Sequence, residues 1–341
     1  MKAYWGFMLI TLISFGLRGQ DSLVQKIMLK GIDLHDQGQY DAAILEYEKA
    51  RELAPKDAFV NYELALSHYY KKDYKKTIEF ASLASKEKSE SGLQAIILLG
   101  SVYDETGQYK RSVKTLEKGI KNYGDYYLLW YNLGVTATEH GDLNGATDAF
   151  LSAVNNKLDH SNSHFALGRV LLAQEKRAEA VYPLMFCALL DPAGDRSPIV
   201  YQSIEQAFGA GVERDDEGAT TITLNVGDNE KNASMRSAEM MMSMLEASRN
   251  LEKYEGLSEE QIDMEIISTF LKFMTELNLG KRDDFFTRYY IPFFGAIAES
   301  EHMPAFYHFI RMSVYPSSQQ YCDEHAQELQ AFFDWLDALD V

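Results

Sequence analysis

Two histidines, His160 and His164, stand four residues apart, the spacing at which one helical face could offer two imidazoles to a metal ion. His160 falls where the chain is expected to turn between repeats, so a ligand pair is not expected there. Asp228, Glu230, Asn232 and Glu239 imitate the acidic spacing of a calcium-binding loop. Ala233 occupies the place where such a loop needs glycine, and Arg236 puts a positive charge among the would-be ligands. Cys187 and Cys322 are the only cysteines. Both lie among apolar neighbours, and buried free thiols are expected, a disulfide being the alternative in an oxidising compartment. The chain contains no paired-histidine zinc motif, no glycine-rich phosphate loop and no nucleophile elbow. Carboxylates are plentiful in the second half, but nothing in their spacing selects an acid–base pair. No catalytic residue, metal ligand or cofactor is therefore nominated. The alternative to a non-catalytic chain is an enzyme with its site in the acidic C-terminal half and its first half used for recruitment.

Charge narrows the partners. The net charge of -18 is unevenly spread: residues 20–194 hold 20 basic and 24 acidic side chains, and residues 195–341 hold 11 and 27. Such a second half repels phosphate backbones, which disfavours nucleic acid as a partner. The first residues carry a different signal. Lys2 is followed by an uncharged, apolar-rich run from Ala3 to Leu17, closed by Arg18. It is too short for a membrane-crossing helix and suits a secretory signal over residues 1–19. Ser14/Gly16 and Leu17/Gly19 are both partial matches to a cleavage site, and an uncleaved anchor is the alternative. No long apolar run follows, so the mature protein is expected to be exported, periplasmic and free of a transmembrane span.

The elements that position everything else come from a period of about 34 residues. A small residue recurs at Gly31, Ala65, Gly100, Gly134 and Gly168. Nine residues on stand Tyr40, Tyr74, Tyr109, Leu143 and Arg177, and three further on Ala43, Thr77, Ser112, Ala146 and Ala180. A second small slot follows at Ala50, Ala84, Gly119, Ala153 and Cys187. Within each unit two helix-period stretches flank a turn such as Asp36-Gln37-Gly38-Gln39. Antiparallel helices approach closely only where side chains are small, and one pair cannot bury its own apolar face, so the units must stack. This pattern resembles the tetratricopeptide repeat family over about residues 24–194. The fourth copy is the nearest match, through Trp130, Leu133-Gly134, Gly141, Ala146, Phe150 and Ala153, and the first and fifth copies end on the family's proline at Pro55 and Pro192. Ser89, Gly124 and Leu158 replace that proline elsewhere, Arg177 replaces the aromatic wedge, and Pro183 sits inside the last helix. The resemblance implies an all-α chain: a right-handed α-solenoid of five helix-turn-helix repeats, followed here by a helical C-terminal domain.

In that family the first helix of each repeat lines a concave groove. The corresponding positions here are Phe59, Tyr62, Leu66, Tyr69 and Tyr70 in repeat 2, with Ile97, Tyr131 and Phe165 continuing the strip and Arg169 its one basic residue. Lys75, Lys76, Lys110 and Lys114 belong to second helices and are expected to face solvent. The groove is expected to take an apolar helix or extended segment, from another protein or from the chain's own C-terminal domain, unless these aromatics pack between repeats instead.

After Pro192 the period is lost. Residues 195–210, with Ile199, Val200, Ile204 and Phe208, are expected to form a capping helix, and 211–234 a polar loop with one short strand over Thr221 to Val226. Helices then fill 235–341. Ser258 and Gln261 make a capping-box pattern for a helix ending at Gly280, and Asp283 or Asp284 caps the next. There Phe285, Phe286, Tyr289, Tyr290, Phe293, Phe294 and Ile297 form an apolar stripe that reads as core. Met235, Met240, Met241, Met242 and Met244 read as core filler first and as an adaptable binding face second. Cys322, His325, Leu329, Phe332 and Leu336 are expected on one final helix.

Overall fold

The computed structural model describes residues 19–214, 220–223, 233–277, 279 and 282–339. The N-terminal apolar run and the calcium-like positions Asp228, Glu230 and Asn232 lie outside the described residues. Ten helices alternate in pairs: α1 Gly19–Asp36 with α2 Tyr40–Leu53, α3 Ala58–Tyr70 with α4 Tyr74–Ala84, α5 Glu90–Glu105 with α6 Tyr109–Tyr123, α7 Tyr127–Glu139 with α8 Leu143–Asn156, and α9 Ser161–Ala173 with α10 Arg177–Leu190. They divide between two units. Residues 1–124 hold the first three pairs, and residues 125–341 hold the last two together with everything that follows. No described helix is long and apolar enough to cross a membrane.

The small slots do what their spacing implies. A Cβ built on Gly100 would meet Leu116 at 2.6 Å, one on Gly134 would meet Phe150 at 2.6 Å, and one on Gly168 would meet Leu184 at 2.6 Å; Gly31 is pressed in the same way against Tyr47. Each partner stands sixteen residues after its glycine. In the second repeat the slot is Ala65, and the residue sixteen on is Ala81, both fully buried. The larger slot residue thus comes with a smaller partner, so the close approach of the two helices is kept by exchanging volume across it. The second row of small residues is buried in all five copies.

Each turn needs one residue in the left-handed region. Gly38, Gly107 and Gly141 supply it in repeats 1, 3 and 4, with φ of 74°, 72° and 79°. Lys72 and Glu175, at φ 61° and 60°, fill the same place in repeats 2 and 5 without glycine's freedom. Asp73 and Asp142 follow directly and cap α4 and α8 through the backbone N–H groups of Lys76 and Gly145.

Beyond the pairs, α11 spans Ser197–Gly209. The expected polar loop holds a two-stranded antiparallel hairpin, β1 Val212–Arg214 with β2 Thr220–Ile222, so a second strand joins the one anticipated. Helices α12 Ala233–Ala247, α13 Glu259–Glu276, α14 Ile291–Glu299, α15 Met303–Phe309, α16 Pro316–Glu324 and α17 Ala326–Asp337 complete the chain. Ser258 and Gln261 form the full capping box at α13. That helix ends at Glu276, earlier than expected, because Leu277 already has extended backbone. Asp284 accepts from the Thr287 N–H at 3.2 Å, and Phe286–Tyr290 then make a π-helical turn into α14. The final helix is two helices, since His325 leaves helical geometry at φ -115°, ψ 37° and stacks on Tyr321.

One apolar core runs from repeat 4 to α17 within the second unit. Phe208 of α11 meets Phe270 of α13 edge-on at 5.4 Å, and Tyr182 of α10 packs on both Phe270 and Phe294. The array therefore does not end at α11: the C-terminal helices share the core of repeat 5. The methionines of α12 divide, with Met242 in that core and Met240 and Met244 about half exposed. Cys187 and Cys322 are both buried free thiols.

Candidate interaction surface

Helix α3 carries most of the expected groove residues. Asp57 caps it by accepting from the Val60 N–H at 2.9 Å, and the Ala65 slot turns its opposite side toward α4. Phe59 is 38% exposed and Tyr70 42%, whereas Tyr62, Leu66 and Tyr69 are half-buried. Tyr70 stacks on Tyr40 with ring centres 5.2 Å apart, and His35 stands edge-on to both rings. His35 is hydrogen-bonded to Ser67 at 2.7 Å, and burial lowers its pKa, so the imidazole is neutral at neutral pH. The wedge tyrosine of the first repeat thus finds a partner on the first helix of the second. Tyr69 packs edge-on to Tyr70, and its hydroxyl donates to the Glu105 carboxylate of α5. Burial and that carboxylate raise the Tyr69 pKa.

Beneath the rings sits a residue the spacing argument passed over. Glu63 is half-buried, accepts from the Tyr47 hydroxyl at 3.4 Å, and has Asp36 as a charged neighbour of the same sign. Burial pushes its carboxyl up to about 7. Tyr62 feels both Glu63 and Tyr70, which places these three side chains together with the exposed Asp36. The clue in the sequence was register: Glu63 stands sixteen residues after Tyr47, itself sixteen after Gly31.

The remaining expected positions are not all surface. Ile97 is 1% exposed and does not belong to a groove: α5 is buried along nearly all of its length, and Ile97 lies inside that packing. In the second unit Tyr131 stands edge-on to His160 at 5.2 Å and against Phe150 at 5.8 Å, so it fills the junction of repeats 4 and 5. The Arg196 guanidinium lies over the Phe165 ring at 5.4 Å and covers it. Arg169 is exposed, as are Lys75, Lys76, Lys110 and Lys114.

The two spaced histidines separate by role. His160 precedes α9 and bonds Ser163 at 2.7 Å. His164 is fully buried, stacks on Phe186, donates through Nε2 to the Leu158 carbonyl at 2.7 Å and accepts at Nδ1 from the Tyr290 hydroxyl at 2.6 Å. Burial lowers both histidines to about 4. They are packing elements, and no group of three or more metal-ligating side chains occurs among the described residues. Carboxylates of the C-terminal helices that come together are paired with arginine: Glu246 and Asp263 flank Arg249 at 2.7 and 2.5 Å. Glu179 and Arg282 meet at 2.6 Å.

The repeats also match a known family. Residues 28–89 and 97–160 match the family model of the tetratricopeptide repeat. No curated protein matches the chain. Among solved structures, YrrB, described as a TPR protein with an unusual peptide-binding site, is 17% identical over 55% of this chain and 98% of its own, with a TM-score of 0.42. MamA from Desulfovibrio magneticus RS-1 is 17% identical over 52% of this chain and 98% of its own, at a TM-score of 0.44. The pilF protein of Pseudomonas aeruginosa is 14% identical over 56% of this chain and 91% of its own, at 0.45. The helix pairs over residues 28–160 are tetratricopeptide repeats, the type of repeat that serves protein–protein interaction.

Proposed function

We propose that this tetratricopeptide-type scaffold is exported to the bacterial cell envelope and holds a polypeptide segment, an apolar helix or an extended strand, against the aromatic face of α3. The carrying observation is the pair Phe59 and Tyr70, large aromatic side chains left more than one-third exposed on a first helix whose other side is fully packed. Scattered exposed hydrophobics are ordinary, but these two lie on the family's ligand-binding helix, beside the half-buried Tyr62, Leu66 and Tyr69. Rigid aromatic side chains of this kind anchor interfaces at low entropic cost. Export rests on the short apolar run behind Lys2.

Cross-linked pulldown with the full chain, compared with the Phe59→Ala and Tyr70→Ala variants, tests the binding half. Truncating an anchoring aromatic should weaken the captured partner by about 1–2 kcal/mol or more per residue. Undiminished affinity in both variants, each shown to be folded, would move the binding surface elsewhere. Intact mass of the native protein tests the export half: the mature chain should begin between residues 17 and 21. A chain retaining Met1 in the membrane fraction would favour the anchored alternative.

A further inference from the structure

The α3 face combines exposed aromatics with carboxylates that the chain itself does not neutralise. Glu63 lies at its base with Asp36 beside it, and no cation of the described residues forms an ion pair with either. The positive charges nearby are engaged elsewhere or face away. Lys30 and Lys49 both bind Glu46, Lys71 binds Asp41, and Lys75 and Lys76 stand exposed on the second helix. His35, which packs against Tyr70, is held neutral by burial. At the α5 end of the face Glu105 is exposed and accepts from the Tyr69 and Tyr74 hydroxyls, with no cation of the described residues among its partners.

A purely apolar segment laid on this face would cover these carboxylates further and leave them without a counter-charge, which costs free energy. A segment that alternates apolar side chains with lysine or arginine would cover Phe59 and Tyr70 and bring a cation to Glu63 and Asp36. Resting on the reading that α3 is the binding helix, we infer that its occupant is a cationic amphipathic segment of another protein, with a lysine or arginine seated between Glu63 and Asp36. The raised pKa of Glu63 agrees with a carboxyl that lacks its partner until that segment arrives.

The test uses the full chain and three fluorescent peptides of about 12 residues, long enough to run the length of α3 when extended. All share a leucine at every second position, with lysine, glutamate or serine between. The lysine peptide should bind more tightly than the serine peptide by about tenfold or more, and should lose that advantage at ~1 M salt, where the Debye length is ~3 Å. The glutamate peptide should bind more weakly than either. Glu63→Gln and Asp36→Asn should each remove about tenfold of the affinity for the lysine peptide, the scale of one charge-assisted bond. Glu301→Gln, an exposed position of the second unit, changes net charge by the same amount and should leave the affinity unchanged. Equal loss in all three variants would reduce the effect to the net negative charge of the chain and overturn the proposal. So would a serine peptide that binds as well as the lysine peptide; if Tyr70→Ala weakens that binding, the α3 reading survives and only the cationic partner falls. Lysine-peptide binding indifferent to Tyr70→Ala and Phe59→Ala would remove both.

Discussion

The Arg177 guanidinium meets the Glu239 carboxylate at 2.9 Å, and the same arginine donates to the Ala207 and Ala210 carbonyls at the end of α11 and to the Ser243 hydroxyl. Glu239 in turn accepts from the Ala178 N–H at the start of α10. In the other repeats this wedge position holds tyrosine or leucine; here a longer, charged fork reaches the last carbonyls of α11 and the carboxylate of α12 at once. The departure from the family pattern is thus what joins the repeat array to the helices that follow it.

Removing that fork leaves Glu239 half-buried without its counter-charge, where burial already raises its pKa. Arg177→Ala should therefore lower stability by about 2–4 kcal/mol. The scale is discounted because both side chains keep some contact with solvent, at 17% and 21% exposure. Arg177→Tyr, which restores the family residue, should not recover the loss. Urea unfolding of the full chain followed by circular dichroism reads the difference, and an unchanged midpoint for Arg177→Ala would deny the fork this role.

The exchange of volume across the slots is testable by a double-mutant cycle. Gly134→Ala pushes a methyl group to 2.6 Å from the Phe150 ring and should cost about 1–3 kcal/mol. Phe150→Ala empties a fully packed site and should cost about 3–5 kcal/mol. The double variant reproduces the Ala65 and Ala81 pair of the second repeat, so it should be less destabilised than the sum of the two by roughly 0.5–3 kcal/mol. Additivity within error would mean that the two side chains do not share the space.

A gain of stability is expected at one turn. Lys72 holds a left-handed backbone where three other repeats place glycine. Lys72→Gly should raise stability by roughly 0.5–1 kcal/mol, the relief of the Cβ clash less the added freedom of the unfolded chain. Thermal unfolding of the two proteins side by side measures it, and a lower midpoint would show that the turn is not strained at Lys72.

Much of this architecture is legible in the residues because it rests on one repeated steric demand. Glycine or alanine every 34 residues, with a large or small partner sixteen on, encodes helix pairs whatever the rest of the sequence does. The groove was less legible. Ile97 and Tyr131 share the register of Tyr62, yet burial differs among them because it depends on what the adjacent repeat brings: the packing around α5 for Ile97, His160 and Phe150 for Tyr131. Phe165 is covered by Arg196, from a segment beyond the period. Glu63 escaped notice because its place sixteen residues after Tyr47 does not by itself signal burial, and only its packing raises its pKa. In the second half the helix pattern placed α13 and the apolar stripe of α14, while the break at His325, whose ring stacks on Tyr321, leaves no mark in the periodicity.

Two buried titrating groups should pull the stability of the two units in opposite directions with pH. Glu63, raised from 4.5 to about 7, binds a proton more tightly in the folded than in the unfolded state. Its favourable contribution is present below pH 4.5 and is lost as pH rises toward 7. His164, lowered from 6.5 to about 4, binds a proton less tightly when folded, because burial in the core penalises the charged imidazole. Its contribution is present above pH 6.5 and is lost as pH falls toward 4. Unfolding midpoints measured from pH 4 to pH 8 should therefore separate by variant. Glu63→Gln should remove part of the decline between pH 5 and 7, and His164→Gln should remove part of the rise between pH 4 and 6.5. The slope is the readout, since either substitution also shifts the overall level through lost packing. A Glu63→Gln profile parallel to that of the unaltered protein across the neutral range would mean that Glu63 ionises as an ordinary surface carboxylate, and that the α3 face offers no buried charge for a partner to meet.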